Sequence, residues 1–144
     1  MTLDAGHLTL VVKNAQGWSN LCGLITQARH NAPKGEACLP EHLLENHAEG
    51  LIALSGCDHS AISQAIMRDD KQMAIATATR YRDWFGQKSF FIELQRHLLP
   101  DDKHRTRRLI ALANHLQMPV VATNNVHYAH RDGQRLGDVL TCIR

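Results

Sequence analysis

Apolar and polar positions change period several times along the chain, and each change marks an element. His7-Leu8-Thr9-Leu10-Val11-Val12-Lys13 is partly alternating and rich in β-branched residues, which predicts a strand. Asn14 stands where a helix cap belongs. Leu21, Leu24, Ile25 and Ala28 follow at i, i+3, i+4 and i+7, one face of an amphipathic helix that ends at Arg29 and His30. A loop over 31–39 holds Pro33 and Gly35. Pro40 and Glu41 then open a second, short helix that Gly50 stops. Leu51-Ile52-Ala53-Leu54 is an uninterrupted apolar run, read as a buried strand, and it leads into the small polar turn Ser55-Gly56-Cys57-Asp58-His59.

Residues 60–67 and 71–85 read as helices, the second closed by Gly86. Ser89-Phe90-Phe91-Ile92-Glu93-Leu94 is a third strand leading to Gln95, Arg96 and His97. Asp101 and Asp102 after Pro100 suit the positive end of a helix dipole, and Leu109, Leu112, Ala113 and Leu116 give that helix its buried stripe. Val120-Val121-Ala122, between Pro119 and Thr123, is predicted to be a buried parallel strand. Its end carries Asn124, Asn125, His127 and Tyr128, and a last helix covers about 132–141.

Strands alternating with amphipathic helices predict an α/β fold, a parallel sheet covered by helices. The four strand ends are expected along one rim, the usual place for ligands and metals in such folds. A closed barrel takes about eight strands, so four make either a small open sheet or a piece of a larger barrel. Residues 1–6 are polar and predicted to be a ragged start; residues 7–144 form one unit. At 144 residues the chain suits a single domain with a real core.

Composition narrows the function classes. A hydrophobic fraction of 44% and a charged fraction of 21% describe an ordinary globular protein. The formal charge of +2 gives little support to a nucleic-acid surface. Cys22, Cys38, Cys57 and Cys142 lack C-x-x-C pairing and disulfide-style spacing, and no run is long enough to span a bilayer. Free thiols in a reducing cytoplasm, with no membrane partner, are the expectation. Phosphate-cradling Gly-rich loops, a Walker-type lysine, a G-x-S-x-G turn and a two-metal acidic pair are all absent.

The ten histidines draw attention to metal chemistry. His30, Cys57, His127 and Asn125 each follow an element, and imidazole and thiolate are ligands for divalent transition metals. Their separations are long, however. On residue type alone, Cys57 is better read as a small residue in a tight turn and His30 as a helix-terminal residue. Glu93, Gln95 and His97 alternate, so an extended backbone puts them on one face as a ligand or acid/base pair, or as a polar strand end facing solvent. Lys103, His104, Arg105, Arg107 and Arg108 form a basic face opposite the Leu stripe, read as solvated in preference to phosphate-binding.

Several of these stretches come in a familiar order. They are His7-Leu8-Thr9-Leu10-Val11-Val12-Lys13-Asn14, Asn20-Leu21-Cys22, Glu49-Gly50-Leu51-Ile52-Ala53-Leu54-Ser55-Gly56-Cys57, Phe91-Ile92-Glu93-Leu94-Gln95-Arg96-His97, Val121-Ala122-Thr123-Asn124-Asn125-Val126-His127-Tyr128 and Asp138-Val139-Leu140-Thr141-Cys142-Ile143-Arg144. Together they resemble the polymerase-and-histidinol-phosphatase (PHP) domain of bacterial C-family DNA polymerases, most nearly the error-prone branch.

The resemblance implies a distorted (β/α)7 barrel, here without its first strands, with a metal cluster at the carboxyl rim. It implies metal ligation by His30, Cys57, Asn125 and His127, with Zn or Mn as the ion; Glu93 and His97, paired by the alternation above, are candidates to support those ligands. Asn125 stands where metal-binding members carry an aspartate, so the site has one negative charge fewer. Mg would serve the parent polymerase, DNA would be reached through it, and the rest of that chain would be the direct partner. No catalytic residue of nucleotide transfer is expected here, so the chain alone is expected to be inactive: a fragment of an error-prone DNA polymerase, ending in mid-motif. The alternatives are a free-standing PHP-type metal-dependent phosphoesterase and a non-catalytic degenerate module.

Overall fold

The computed structural model describes residues 1–30, 32–33, 36–126 and 128–143. In chain order these form β1 (Thr2–Leu3), β2 (Gly6–His7), β3 (Thr9–Val12), α1 (Ala15–His30), a 3-10 segment (Glu41–His47) and β4 (Leu51–Leu54). Then come α2 (Ala61–Met67), α3 (Lys71–Phe85), β5 (Phe90–Gln95), α4 (Asp102–His115), β6 (Val120–Thr123), a 3-10 turn (Arg131–Gly133) and α5 (Gln134–Ile143). Helices and strands alternate as the apolar pattern predicts. Among the described residues the main sheet is open, with the order β3-β4-β5-β6.

Three strands, β4, β5 and β6, run parallel. β3 departs from the expected arrangement, because it pairs antiparallel with β4, Thr9 opposite Leu54 and Val12 opposite Leu51. The cause lies in the connection. α1 carries the chain away and the segment through Glu41–His47 brings it back against α1, so β4 starts at the end of the sheet where β3 stopped. Lys13 N donates to Gly50 O at 2.9 Å, closing that return. Thr9, which opens β3 opposite Leu54, and His7, which ends β2 two residues before it, therefore lie at the carboxyl rim of β4.

Glycine is required where the excursion closes. Gly50 has φ +75°, and a Cβ on Gly17 would stand 1.8 Å from Gly50 O. Asn14 caps α1 as expected, its Oδ1 accepting from Gly17 N at 2.9 Å. Gly17→Ala must push α1 off the β3–β4 return. We expect a loss of about 1–3 kcal/mol, the usual cost of overpacking, measurable as a lower urea midpoint at unchanged slope.

Residues 1–6 are not ragged. Thr2–Leu3 and Gly6–His7 form a small hairpin, Leu3 is 3% exposed, and Leu39 N donates to Thr2 O at 3.1 Å. Met1, Leu3 and Ala5 alternate with Thr2 and Asp4, but over so few residues the alternation is too short a signal for two-residue strands. β6 also differs from expectation. It is parallel, but it pairs only with β5 among the described strands, and Val120 is 41% exposed. None of the residues of α5 is buried, and Tyr128 packs against Gly133 and Gly137 at its start.

The core lies where α1–α4 meet the sheet. Leu24, Leu44, Leu51, Ala53, Ile62, Phe90 and Ile92 are buried there, and Tyr81 meets Phe90 edge-on with ring centroids 5.7 Å apart. Ser60 and Asp70 cap α2 and α3 by accepting from Ser63 N and Met73 N. Four cysteines, Cys22, Cys38, Cys57 and Cys142, are free thiols. Among the described residues no helix is long and apolar enough to cross a membrane.

On α4 the structure corrects the expected basic face. Arg105 does not face solvent but is buried, its Nη2 2.8 Å from Asp102 Oδ1. Asp102 Oδ2 also accepts from His97 N at 2.6 Å and Leu99 N at 3.1 Å. Positions 102 and 105 fall on the same helical stripe as Leu109 and Leu112, so they turn inward with it. Arg108 bonds Ile66 O and Asp69, tying α4 to α2, while Lys103, His104 and Arg107 remain exposed.

Candidate functional site

The carboxyl ends of β4, β5 and β6 form the rim to which the sequence assigns chemistry. At β4 the chain turns sharply through Gly56, φ +88°, where a Cβ would stand 2.7 Å from His7 O. The turn exposes Asp58 and His59 and leaves Cys57 half-buried. Cys57 Sγ is 3.4 Å from Nδ1 of His7, and the rings of His7 and His59 meet edge-on with centroids 5.5 Å apart. Burial pushes the Cys57 thiol up from its ordinary pKa; a backbone hydrogen bond at His59 acts against this, and the Asp58 carboxylate adds to it.

Ser55, buried at the end of β4, accepts from Glu93 N at 2.9 Å. Glu93 is only 4% exposed, which excludes the reading of a strand end facing solvent. Its Oε1 accepts from Gln95 Nε2 at 3.0 Å and from Thr123 Oγ1, so the side chain bridges β5 to β6. Oε2 is buried without a hydrogen-bond partner among the described residues. Such a carboxylate costs free energy to hold, and its two donors only partly offset that.

β5 ends at Gln95, so His97 does not continue the alternating face. His97 is exposed, and its backbone rather than its ring is engaged, through Asp102. With Asn124, Asn125, Val126 and Tyr128 it lines an open hollow beyond the ends of β5 and β6. Asn125 is exposed with φ +45°, a left-handed conformation that asparagine tolerates better than most residues. His30 is exposed at the last position of α1.

The rim therefore divides the expected ligand set. Cys57 is joined to His7, Asn125 sits beside His97, and His30 ends α1. His127, Gly35 and Arg144 lie outside the described residues. Among the described residues no group of three His, Cys, Asp or Glu side chains is placed to hold a metal ion. The described members of the set do not fit a metal together, and no hydrolytic step is assigned to them. Sequence reasoning passed over His7, Ser55 and Thr123. His7 could be found only by knowing that β3 is antiparallel, whereas Thr123 was legible as the first polar residue after an apolar run.

Comparison with known proteins agrees with this architecture. The family model described as "PHP domain" matches residues 1–97. The DNA polymerase III subunit alpha of Treponema pallidum is 37% identical over 137 residues, 95% of this chain and 12% of that protein. The subunit of the same name from Thermus aquaticus is 37% identical over 99% of this chain and 12% of its own length. The error-prone DNA polymerase of Symbiobacterium thermophilum is 37% identical over 100% of this chain and 15% of its own. The chain thus spans 12–15% of the length of these curated relatives. With parallel strands alternating with helices and a family match over two thirds of its length, the chain belongs to the PHP domain family.

Proposed function

We propose that this PHP unit is part of a bacterial C-family DNA polymerase chain of the error-prone branch, where it serves as scaffold and contributes part of a rim site. The observation that carries the reading is the extent of similarity. It runs through 95–100% of the chain, past the PHP match at residue 97, and the relatives are polymerase chains. Nucleotide transfer, with its Mg²⁺ and its DNA, then belongs to the remainder of the larger chain.

The chemistry of the rim suits a scaffold better than a hydrolase. Asn125 offers an amide where a charged ligand would compensate a cation, and Glu93 is spent on joining β5 to β6. Any ion shared by His30, Cys57, Asn125 and His127 is accordingly held with one negative charge fewer than an aspartate would give.

Two measurements test the reading. The coding sequence on either side should continue in frame into polymerase sequence, and that longer chain should extend a primer past a damaged template base with Mg²⁺. A reading frame without polymerase sequence around it overturns the proposal. The 144-residue chain should show no phosphoester hydrolysis with Mn²⁺ or Zn²⁺. Turnover there would instead support a free-standing phosphoesterase.

A further inference from the structure

Helices α3 and α4 line an open groove beside the end of α2 with stripes of the same make-up. On α3 the stripe is Lys71, Ala74 and Ile75. On α4 it is Arg108, Ala111, Leu112 and His115, spaced i, i+3, i+4 and i+7 and so on one helix face. Ile66, at the end of α2, joins the buried Ala74 and Leu112 in the floor. α2 packs on both helices, but α3 and α4 are not packed closely on each other, and the two alanines leave the space between them open.

The ends of this apolar strip are basic. Arg108 is fixed at one end, its guanidinium held by Ile66 O at 2.8 Å and by Asp69 at 2.9 Å. Lys71 stands at the same end, its N donating to Asp69 O at 3.1 Å. His115 marks the other end, about 10 Å along α4 from Arg108 at 1.5 Å per residue. Its ring carries an N–H donor in either protonation state. Asp69 is taken by Arg108, and Asp70 caps α3 by accepting from Met73 N at 2.9 Å. Among the described residues no acid lines the groove, and no ion pair engages Lys71 or His115.

We propose that this groove docks an acidic amphipathic helix of a separate partner protein. Two carboxylates at i and i+7 of that helix, two turns and about 10 Å apart, meet Lys71 with Arg108 and His115. Apolar side chains at i+3 and i+4 between them enter the groove over Ile66, Ala74 and Leu112, the helix-in-groove mode of recognition. A second copy of this chain does not supply the segment, because no two of its 14 acidic residues stand seven positions apart. The surface goes beyond the polymerase reading and does not rest on it.

Fluorescence anisotropy at low salt tests the proposal on the 144-residue chain. The probe is a labelled, alanine-based peptide of about 18 residues, long enough to hold a helix, with Glu at i and i+7 and Leu at i+3 and i+4. Its control carries Lys in place of both Glu. The acidic probe should bind at least about tenfold more tightly than the control. Ala111→Trp, which fills the groove from an exposed position, should weaken the acidic probe by about tenfold or more. Lys71→Glu with His115→Glu, both exposed, should reverse the preference between the two peptides. Arg107→Glu, on the same helix but outside the groove, should leave it in place. Equal affinity for the two peptides overturns the proposal, as does acidic-probe binding unmoved by Ala111→Trp. A loss in Arg107→Glu as large as in the double variant overturns it too, since a general basic face would then suffice. So does self-association of the chain that Ala111→Trp abolishes, which would make the occupant a second copy.

Discussion

Phe90→Ala is expected to lower the unfolding free energy by about 3–5 kcal/mol, the range for truncating a buried aromatic side chain. Phe90 is 0% exposed and opens β5, an inner strand of the sheet. It lies opposite Ala53 of β4 and meets the Tyr81 ring in an edge-to-face contact. The space left behind cannot close easily. Ala53 N is bonded to Ser89 O at 2.8 Å and Ser55 N to Phe91 O at 2.9 Å, so β4 and β5 are held at fixed spacing while α3 rests on both. Equilibrium urea unfolding followed by tryptophan fluorescence reads the loss, since Trp84 lies on α3 beside Tyr81. A loss below about 1 kcal/mol would contradict this core, because even Ile→Val truncations reach that size.

The same strand shows what the sequence could and could not reveal. Apolar runs located β4, β5 and β6 almost to the residue; for β4 and β5 the reason is that an inner strand is covered on both faces, whereas β6 shows the same kind of run at the edge of the described sheet. Helices α3 and α4 were legible from their stripes and stops. What escaped depended on partners distant in sequence. The direction of β3 follows from an excursion that returns to its starting end, and no local period encodes a return path. The burial of Arg105 was in principle readable, since it falls in line with Leu109 and Leu112, but a charged residue among four basic neighbours looks solvated until its carboxylate is identified.

The candidate site was legible to a smaller degree. Cys57 was placed correctly at the end of β4, because a small-residue turn after a buried strand is a local feature. Its neighbour His7 was missed, since 50 positions separate the two in sequence. Glu93 looked like a solvent-facing acid, yet it is enclosed by donors from β5 and β6. Rim chemistry in this chain is thus set less by which polar residues follow each strand than by which strands lie side by side.

Asp102→Asn should remove the support of the segment that carries His97, with a melting temperature lower by on the order of 10 °C near neutral pH. Burial acts to raise the carboxyl pKa of Asp102. The N–H donors of His97 and Leu99 and the Arg105 guanidinium more than offset this, so the group is held below its ordinary value. An asparagine keeps one acceptor oxygen, but its amide N–H group must face either Arg105 or the two backbone donors. Between those donors sits Leu98 with φ +63°, a conformation that L residues adopt only at a cost and that the two bonds to Asp102 hold in place. The pH dependence follows from the sign of the shift. A depressed folded-state pKa contributes stability that is present above the unfolded-state value and is lost as pH falls through the folded-state value. The native chain should therefore lose stability on acidification below about pH 4, the ordinary carboxylate range. The variant, with nothing to titrate at position 102, should lose less, so the gap between the two melting curves narrows as pH falls. A gap that stays constant from neutral to acid pH would show that the Asp102 carboxylate is not what holds the turn from β5 into α4.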